Sequence, residues 1–424
     1  MNQPLSRYVD YMYSYPHKTA YRPFPAPVSL LPYLEQLEGR KASLYFHIPF
    51  CSHKCGYCNL FSLQTNRTEY IATYLDTLRR QAQQLSPLIA GLTFDSFAIG
   101  GGTPLLLTVP QLELLMATAA LFGVHPSHAF TSVETSPEYA DRPRLNVLKQ
   151  AGVARVSIGI QSFQDEELKA IKRRPRQNTI YQALEGIRQM DFPYFNIDLI
   201  YGIKGQTVES FLYSLEEALR FQPNELFIYP LYVRQGTGIT EREPNDVCFR
   251  MYRAACELLQ AKGFLQTSMR RFIHHPSTDA EVSCGDEVML SCGSGGRSYL
   301  GDLHYATRYT ICQQCIAREI DEYMATTDFT VARNGFILSA KEQQQRFIIK
   351  NLMYYMGIDK AEYTRRFGES LDKTSLFREL AEQHWIEETP ERIRLTSEGL
   401  GYSDYIGQLF ITPEIRQLME TYSY

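Results

Sequence analysis

From residue 44 onward, short apolar runs alternate with stretches whose apolar residues recur at helical spacing. The runs LYFHI (44–48), SFAIG (96–100), FTSVE (130–134), RVSIGI (155–160), FNIDLIYG (195–202) and ELFIYPLYV (225–233) have the length and residue types of strands. Helical spacing predicts helices over 68–85, 110–122, 142–151, 177–190, 207–220 and 246–262. Six strands alternating with helices predict a parallel sheet with right-handed crossovers, either open or curled into a full or partial barrel. In such sheets ligands gather beyond the C-terminal strand ends. The segment from His47 to Cys58, the run GGGTP (100–104), Glu134, Gln161 and Asp198 all fall at or near such ends. One shared site is therefore expected.

Between about 263 and 330 the pattern becomes irregular, and MATTDFTVARNG (324–335) reads as a polar break. SAKE (339–342) then fits a helix capping box, with Phe347, Ile348, Leu352, Tyr355 and Met356 on one face of the helix that follows. WIEETPERIRLTSEGLGYSDYI (385–406) reads as strand, turn, strand and short helix. Three segments are expected: a Tyr-rich strap over 1–40, a core domain over 41–330, and a mostly helical, winged-helix-like domain over 331–424.

Composition narrows the classes. A chain of 424 residues with 44% hydrophobic and 21% charged residues is long enough for a catalytic domain and a smaller one. A net charge of −4 gives no broad footprint for nucleic acid or an anionic membrane. No run approaches a membrane span, and the first residues have no apolar signal core. Nine cysteines, three of them packed together, argue against a secreted disulfide framework and for metal ligation in a reducing cytoplasm.

The three are Cys51, Cys55 and Cys58, spaced C-x-x-x-C-x-x-C directly after the first predicted strand. A closed zinc or iron–sulfur site wants four protein ligands. Three thiolates hold a cubane by three corners and leave one iron open to a substrate. Zinc completed by His47 or His53, or three unligated buried thiols, are the plainer readings. With Tyr57 just before the last cysteine, the loop resembles the hallmark of the radical S-adenosylmethionine (radical SAM) superfamily. YFHIPFCSHKCGYC, GGGTP, SVETSPE, GVARVSIGIQSF, NIDLIYGI, SCGSGGRSY and LTSEGLGYSDYI, in that order over about 44–407, are similar to the oxygen-independent coproporphyrinogen III oxidase (HemN-like) family. That family also contains heme chaperones and methyltransferases.

The resemblance implies a partial (β/α)6 radical SAM barrel. It implies a [4Fe–4S] cluster on Cys51, Cys55 and Cys58, with SAM on the open iron through its amino and carboxylate groups. One electron from the reduced cluster then yields methionine and a 5′-deoxyadenosyl radical. Gly101, Gly102 and Thr103 are expected at the methionyl amino end, Glu134 in the SAM pocket, and Gln161 and Asp198 at the ribose. Arg173, twelve positions after Gln161 in KRRPR (172–176), is expected on the SAM carboxylate. Tyr45 and His47 share a strand face, the tyrosine near the sulfonium and the histidine near the cluster. A small-molecule substrate and an electron donor such as flavodoxin or ferredoxin complete the expectation.

Three departures narrow the reaction. Coproporphyrinogen oxidases typically carry a further cysteine two residues after the third ligand, where this chain has Leu60. The heme-chaperone H-N-x-x-Y-W motif has no counterpart in 270–290, which holds His274 and His275 without a Tyr-Trp pair. SCGSGGRSY (291–299) suits either a plain glycine turn or a segment holding a second SAM or the substrate. Cys312 and Cys315 form a second C-x-x-C that, with Cys284 and Cys292, is a weak candidate for an auxiliary metal. Tyr8, Tyr11, Tyr13, Tyr15 and Tyr21, interleaved with His17, Lys18 and Arg22, read as a packed strap or as a lid over a flat carboxylated substrate. Radical chemistry on a tetrapyrrole-like substrate leads, heme delivery on the same scaffold is the alternative, and a nucleic-acid module is weakest.

Overall fold

The computed structural model describes residue 8 and residues 14–89, 91–124, 129–174, 177–274, 288–371 and 375–423. Six strands lie side by side in chain order and pair in parallel: β1 (Lys41–Ile48), β2 (Thr93–Gly101), β3 (Phe130–Thr135), β4 (Arg155–Gln161), β5 (Tyr194–Tyr201) and β6 (Glu225–Pro230). Each matches a predicted strand. The last is shorter than expected, because after Pro230 the chain leaves the sheet, tethered by Leu231 N–H to the Tyr201 carbonyl.

Helices Thr68–Leu85 and Gln177–Met190 coincide with their predicted spans. The first buries Ile71, Leu75, Leu78, Ala82 and Leu85, a stripe at helical spacing that covers the sheet. Arg142–Gln150 starts where Asp141 accepts from the Arg144 amide, and Val208–Leu219 starts at a capping box on Thr207.

The region read as irregular is ordered. Val288–Cys292 adds to β1 in parallel, and Arg297–Leu300, Leu303–Ala306, Val331–Ile337 and Arg22–Ser29 extend that edge antiparallel. Past β6, Arg271–Ile273 and Leu265–Gln266 add antiparallel strands, so the described sheet has thirteen strands and stays open. Such short strands carry too few residues for a readable period. The supposed polar break contains Val331–Ile337, a strand in which only Ala332 and Gly335 are buried, so it shows no period-two stripe that could be read from sequence.

A second cluster of buried residues, including Phe347, Leu352, Trp385, Ile393 and Ile406, lies in the C-terminal part. Helices surround a small antiparallel sheet of Ile358–Asp359, Arg392–Leu395 and Ile386–Glu388. Ser339 and Glu342 form the expected capping box. The helix ends at Leu352, however, so Tyr355 and Met356 are not on its face. Tyr355 instead bonds the Thr267 carbonyl, Met356 is exposed, and Gly357 at φ +70° turns the chain.

The described residues of the strap are packed against the rest of the protein. Tyr8 lies edge-on to Tyr201, Tyr15 donates to Thr412 Oγ1 at 3.2 Å, and Tyr21 is buried. Tyr11 and Tyr13 lie outside the described residues. Among the described residues no helix is long and apolar enough to cross a membrane.

Candidate functional site

The cysteine loop leaves the end of β1 and is clamped by its own backbone. Gly56 N–H donates to the Ile171 carbonyl at 2.9 Å, and the Gly56 carbonyl accepts from Gly238 N–H at 2.6 Å. Gly102 and Thr103 donate their amides to Ile48 and Phe50 carbonyls, both at 2.8 Å. A Cβ on Gly102 would lie 2.5 Å from the Phe50 oxygen and 2.9 Å from Cys51 Sγ. Glycine is required there by close approach. With its amides turned to the loop, this segment can meet an ammonium group only through carbonyl oxygens, of which that of Thr103 already accepts from Leu106 N–H at 2.9 Å.

Each of the three sulfurs has a polar neighbour. Thr103 Oγ1 donates to Cys51 Sγ at 3.6 Å, Arg173 Nη1 donates to Cys55 Sγ at 3.3 Å, and Ser62 Oγ lies 3.9 Å from Cys58 Sγ. Burial, and then mutual repulsion with Cys58, pushes the Cys51 thiol up to about 12, and Cys58 rises mainly through burial. Among the described residues no group of His, Cys, Asp or Glu is gathered tightly enough for a single metal ion. A cubane holds its cysteines farther apart than one ion does, and hydrogen bonds to its sulfurs are usual. The donor set fits a cluster better than zinc. His47 and His53 point elsewhere, the former to Tyr45 and Phe61, the latter to the Lys172 carbonyl.

His47 is buried, with Nε2 2.9 Å from the Phe61 carbonyl and Nδ1 3.1 Å from the Tyr45 hydroxyl. Burial lowers it to about 4, so the ring is neutral at ordinary pH. Nε2–H then donates to Phe61, and Nδ1 accepts from Tyr45. Glycines wall the ring: a Cβ on Gly101 would sit 2.8 Å from Cε1, and one on Gly295 would sit 2.8 Å from Nε2. The SCGSGG run therefore packs on His47, which alone accounts for Gly295.

The remaining expected residues line one hollow inside the curled sheet. Glu134 Oε2 accepts from Gly101 N–H at 3.2 Å and would touch a Cβ on Gly100, as would the Tyr45 hydroxyl. The carboxylate is packed among protein groups on one side and keeps open surface on the other. Burial and then Asp198 push it up to about 7. Asp198, raised by burial to about 6, accepts from Asn196 Nδ2 at 2.7 Å. Gln161 ends β4 at a register shift and has φ +77°, a strained conformation for a residue with a side chain. Arg173 reaches inward to Cys55 and the Gly159 carbonyl while Arg174 is exposed. The Arg173 Nε–H is buried without a partner, a donor left over for an acidic ligand. Arg176 lies outside the described residues.

Sequence reasoning missed Arg155. It opens β4, donates to Glu225 at 2.5 Å and to Ser132 at 3.1 Å, and its charge lowers both Glu134 and Asp198. The signal was a lone cation heading an apolar strand. Cys292 is sealed in its strand, and Cys284 lies outside the described residues. The proposed grouping of Cys292 with Cys312 and Cys315 therefore does not form.

Two family matches cover these elements: "Radical SAM superfamily" over residues 45–218 and "HemN C-terminal domain" over 338–401. The chain is 28% identical over 386 residues to the heme chaperone HemW of Bacillus subtilis, covering 87% of this chain and 100% of that one. It is 26% identical over 391 residues to the oxygen-independent coproporphyrinogen III oxidase of Escherichia coli K12, covering 85% and 83%. The structure of Escherichia coli coproporphyrinogen III oxidase (HemN) superposes with a TM-score of 0.82 at 23% identity, covering 94% of this chain and 96% of that one.

Proposed function

Since the chain belongs to the radical SAM superfamily and its HemN-like branch, with a [4Fe–4S] cluster and SAM as its cofactors, we propose that it is an enzyme acting on a tetrapyrrole-like or similar carboxylated aromatic substrate. Cys51, Cys55 and Cys58 hold the cluster in this reading, and bound together the two cofactors supply a 5′-deoxyadenosyl radical by one-electron cleavage of SAM. The observation that carries the reading is the convergence of Tyr45, Glu134, Gln161, Arg173 and Asp198 on one hollow beside the three thiols.

Each residue has a task there. Carbonyls of the Gly101–Thr103 turn accept from the methionyl ammonium, and Glu134 accepts from an amino or hydroxyl group. Arg173 turns its spare N–H to the carboxylate. Asp198 and Gln161 accept from the ribose hydroxyls. Neutral His47 fixes the Tyr45 hydroxyl and is a positioning residue. The C-terminal domain helps keep water from the hollow. Electrons come from a small carrier of the flavodoxin or ferredoxin kind.

Without the extra cysteine at position 60, methyl transfer stands beside oxidation as the outcome. A second reading, heme delivery, is favoured by the Bacillus relative, whose whole length aligns. The test is anaerobic reconstitution with iron and sulfide, then SAM and a strong reductant, with mass spectrometry of the small molecules. 5′-Deoxyadenosine is expected, and is lost in Cys51→Ala, Cys55→Ala and Cys58→Ala. S-adenosylhomocysteine alongside it marks methyl transfer. Tight heme uptake with no SAM cleavage overturns the enzymatic reading.

A further inference from the structure

Cys312 and Cys315 have no part in the hollow and no metal-binding company, yet they are not placed as inert thiols. Cys312 is the N-cap of helix Gln313–Ala325, and Cys315 is its third residue. Cys312 is exposed and Cys315 half-buried. Two residues, Gln313 and Gln314, separate the cysteines, so Cys315 lies one helical turn on from the Cys312 N-cap, beside the first amides of the helix. The neighbouring Cys315 and the helix's first amides favour the Cys312 thiolate, below the ordinary thiol range, and the same neighbour holds Cys315 above it. An exposed, stabilised sulfur on a helix N-terminus, with a protonated thiol three residues on, is a nucleophile beside its resolving partner.

The pair is held against the cysteine loop of the cluster. Lys54 Nζ donates to the Ile311 carbonyl at 3.0 Å, and the Tyr309 hydroxyl donates to the Asn59 carbonyl at 2.8 Å. Gln313 accepts from Gln64 N–H and donates to the Ser62 carbonyl, both at 2.8 Å. These bonds fix the start of the helix and so hold the two sulfurs in reach of each other.

We propose that Cys312 and Cys315 form a thiol–disulfide exchange site that reacts with a small disulfide such as glutathione disulfide. The Cys312 thiolate attacks one sulfur of the disulfide; an S–S bond forms, the old one breaks, and one thiolate leaves with the electron pair. Cys315 gives up its proton to that leaving thiolate and attacks the Cys312 sulfur, expelling the second thiolate. The protein loses two electrons and closes one disulfide, and the small disulfide gains them as two thiols.

The test uses the cluster-loaded chain under anaerobic conditions, with mass spectrometry of the tryptic peptide 309–318. A limiting alkylating agent is expected to modify Cys312 about tenfold faster than Cys315, Cys248 or Cys256. With glutathione disulfide, the native peptide is expected to lose two hydrogens and retain no glutathione. Cys315→Ser is expected to hold glutathione on Cys312, and Cys312→Ser to take up about tenfold less. Equal alkylation rates, or glutathione persisting on Cys312 in the native chain, would overturn the proposal. None of these readouts depends on SAM cleavage, so they stand apart from the enzymatic assay.

Discussion

Glu134 shows what a single carboxylate does in a hollow of this kind. Its pKa in the folded chain lies above that of the unfolded chain, so the native state binds more protons between roughly pH 4.3 and 7. Stability of the cofactor-free protein therefore falls as pH rises through that window and levels off above it. Asp198, also raised, adds a fall of the same sign. Glu134→Gln removes the first contribution. It should raise thermal stability above pH 7 by about 1 kcal/mol, less than the full shift implies because cavity water screens the charge. The gain should shrink toward pH 5 in a melting series, and a pH-independent gain would reject this account. Glu134, Gln161 and Asp198 were legible because a polar group at or near the C-terminal end of an apolar strand has few other reasons to be there, whereas Tyr45, inside its strand, came from the family resemblance alone. Arg155 was not, because an arginine at the first position of a strand looks like an ordinary edge charge until Glu225 and Asp198 are seen across the sheet.

Among the elements, two glycines at corresponding turns behave differently. Gly102 has no room for a Cβ against Phe50 and Cys51, whereas Gly205 has φ +85° and nothing within 4 Å. Gly102→Ala should displace the cysteine loop and cut iron bound after reconstitution to less than half. Gly205→Ala should cost about 1 kcal/mol through backbone strain alone and leave iron content unchanged. Equal iron loss in both would mean that general destabilisation, not the close approach, is responsible. The parallel strands and their helices were readable because each has a long enough buried stripe to impose a period. The strands between 288 and 306 were not: four or five residues each, they gain their identity from the β1 edge on which they assemble.

At the scale of the whole molecule, the sheet and the C-terminal helices are joined by a buried charge pair. Arg270 and Asp404 have side chains only 5% and 1% exposed, and Tyr232 bonds to both. Removing one partner strands the other charge away from water, so Asp404→Ala should cost about 3–5 kcal/mol, read as a lower urea midpoint. Tyr232→Phe, which leaves the pair intact, should cost about 1 kcal/mol. The charge pair was invisible in sequence because its members lie 134 residues apart in separate elements. A longer reach binds the chain's beginning to its end: Tyr15 bonds Thr412 across 397 residues, Arg22 bonds the Leu418 carbonyl across 396, and Arg22–Ser29 pairs with Val331–Ile337. On the ribosome, residues 15–29 thus emerge long before the partners they pair with. Their strand edge stays open for most of synthesis, and a transcript stopped short of residue 331 leaves that edge available to another chain.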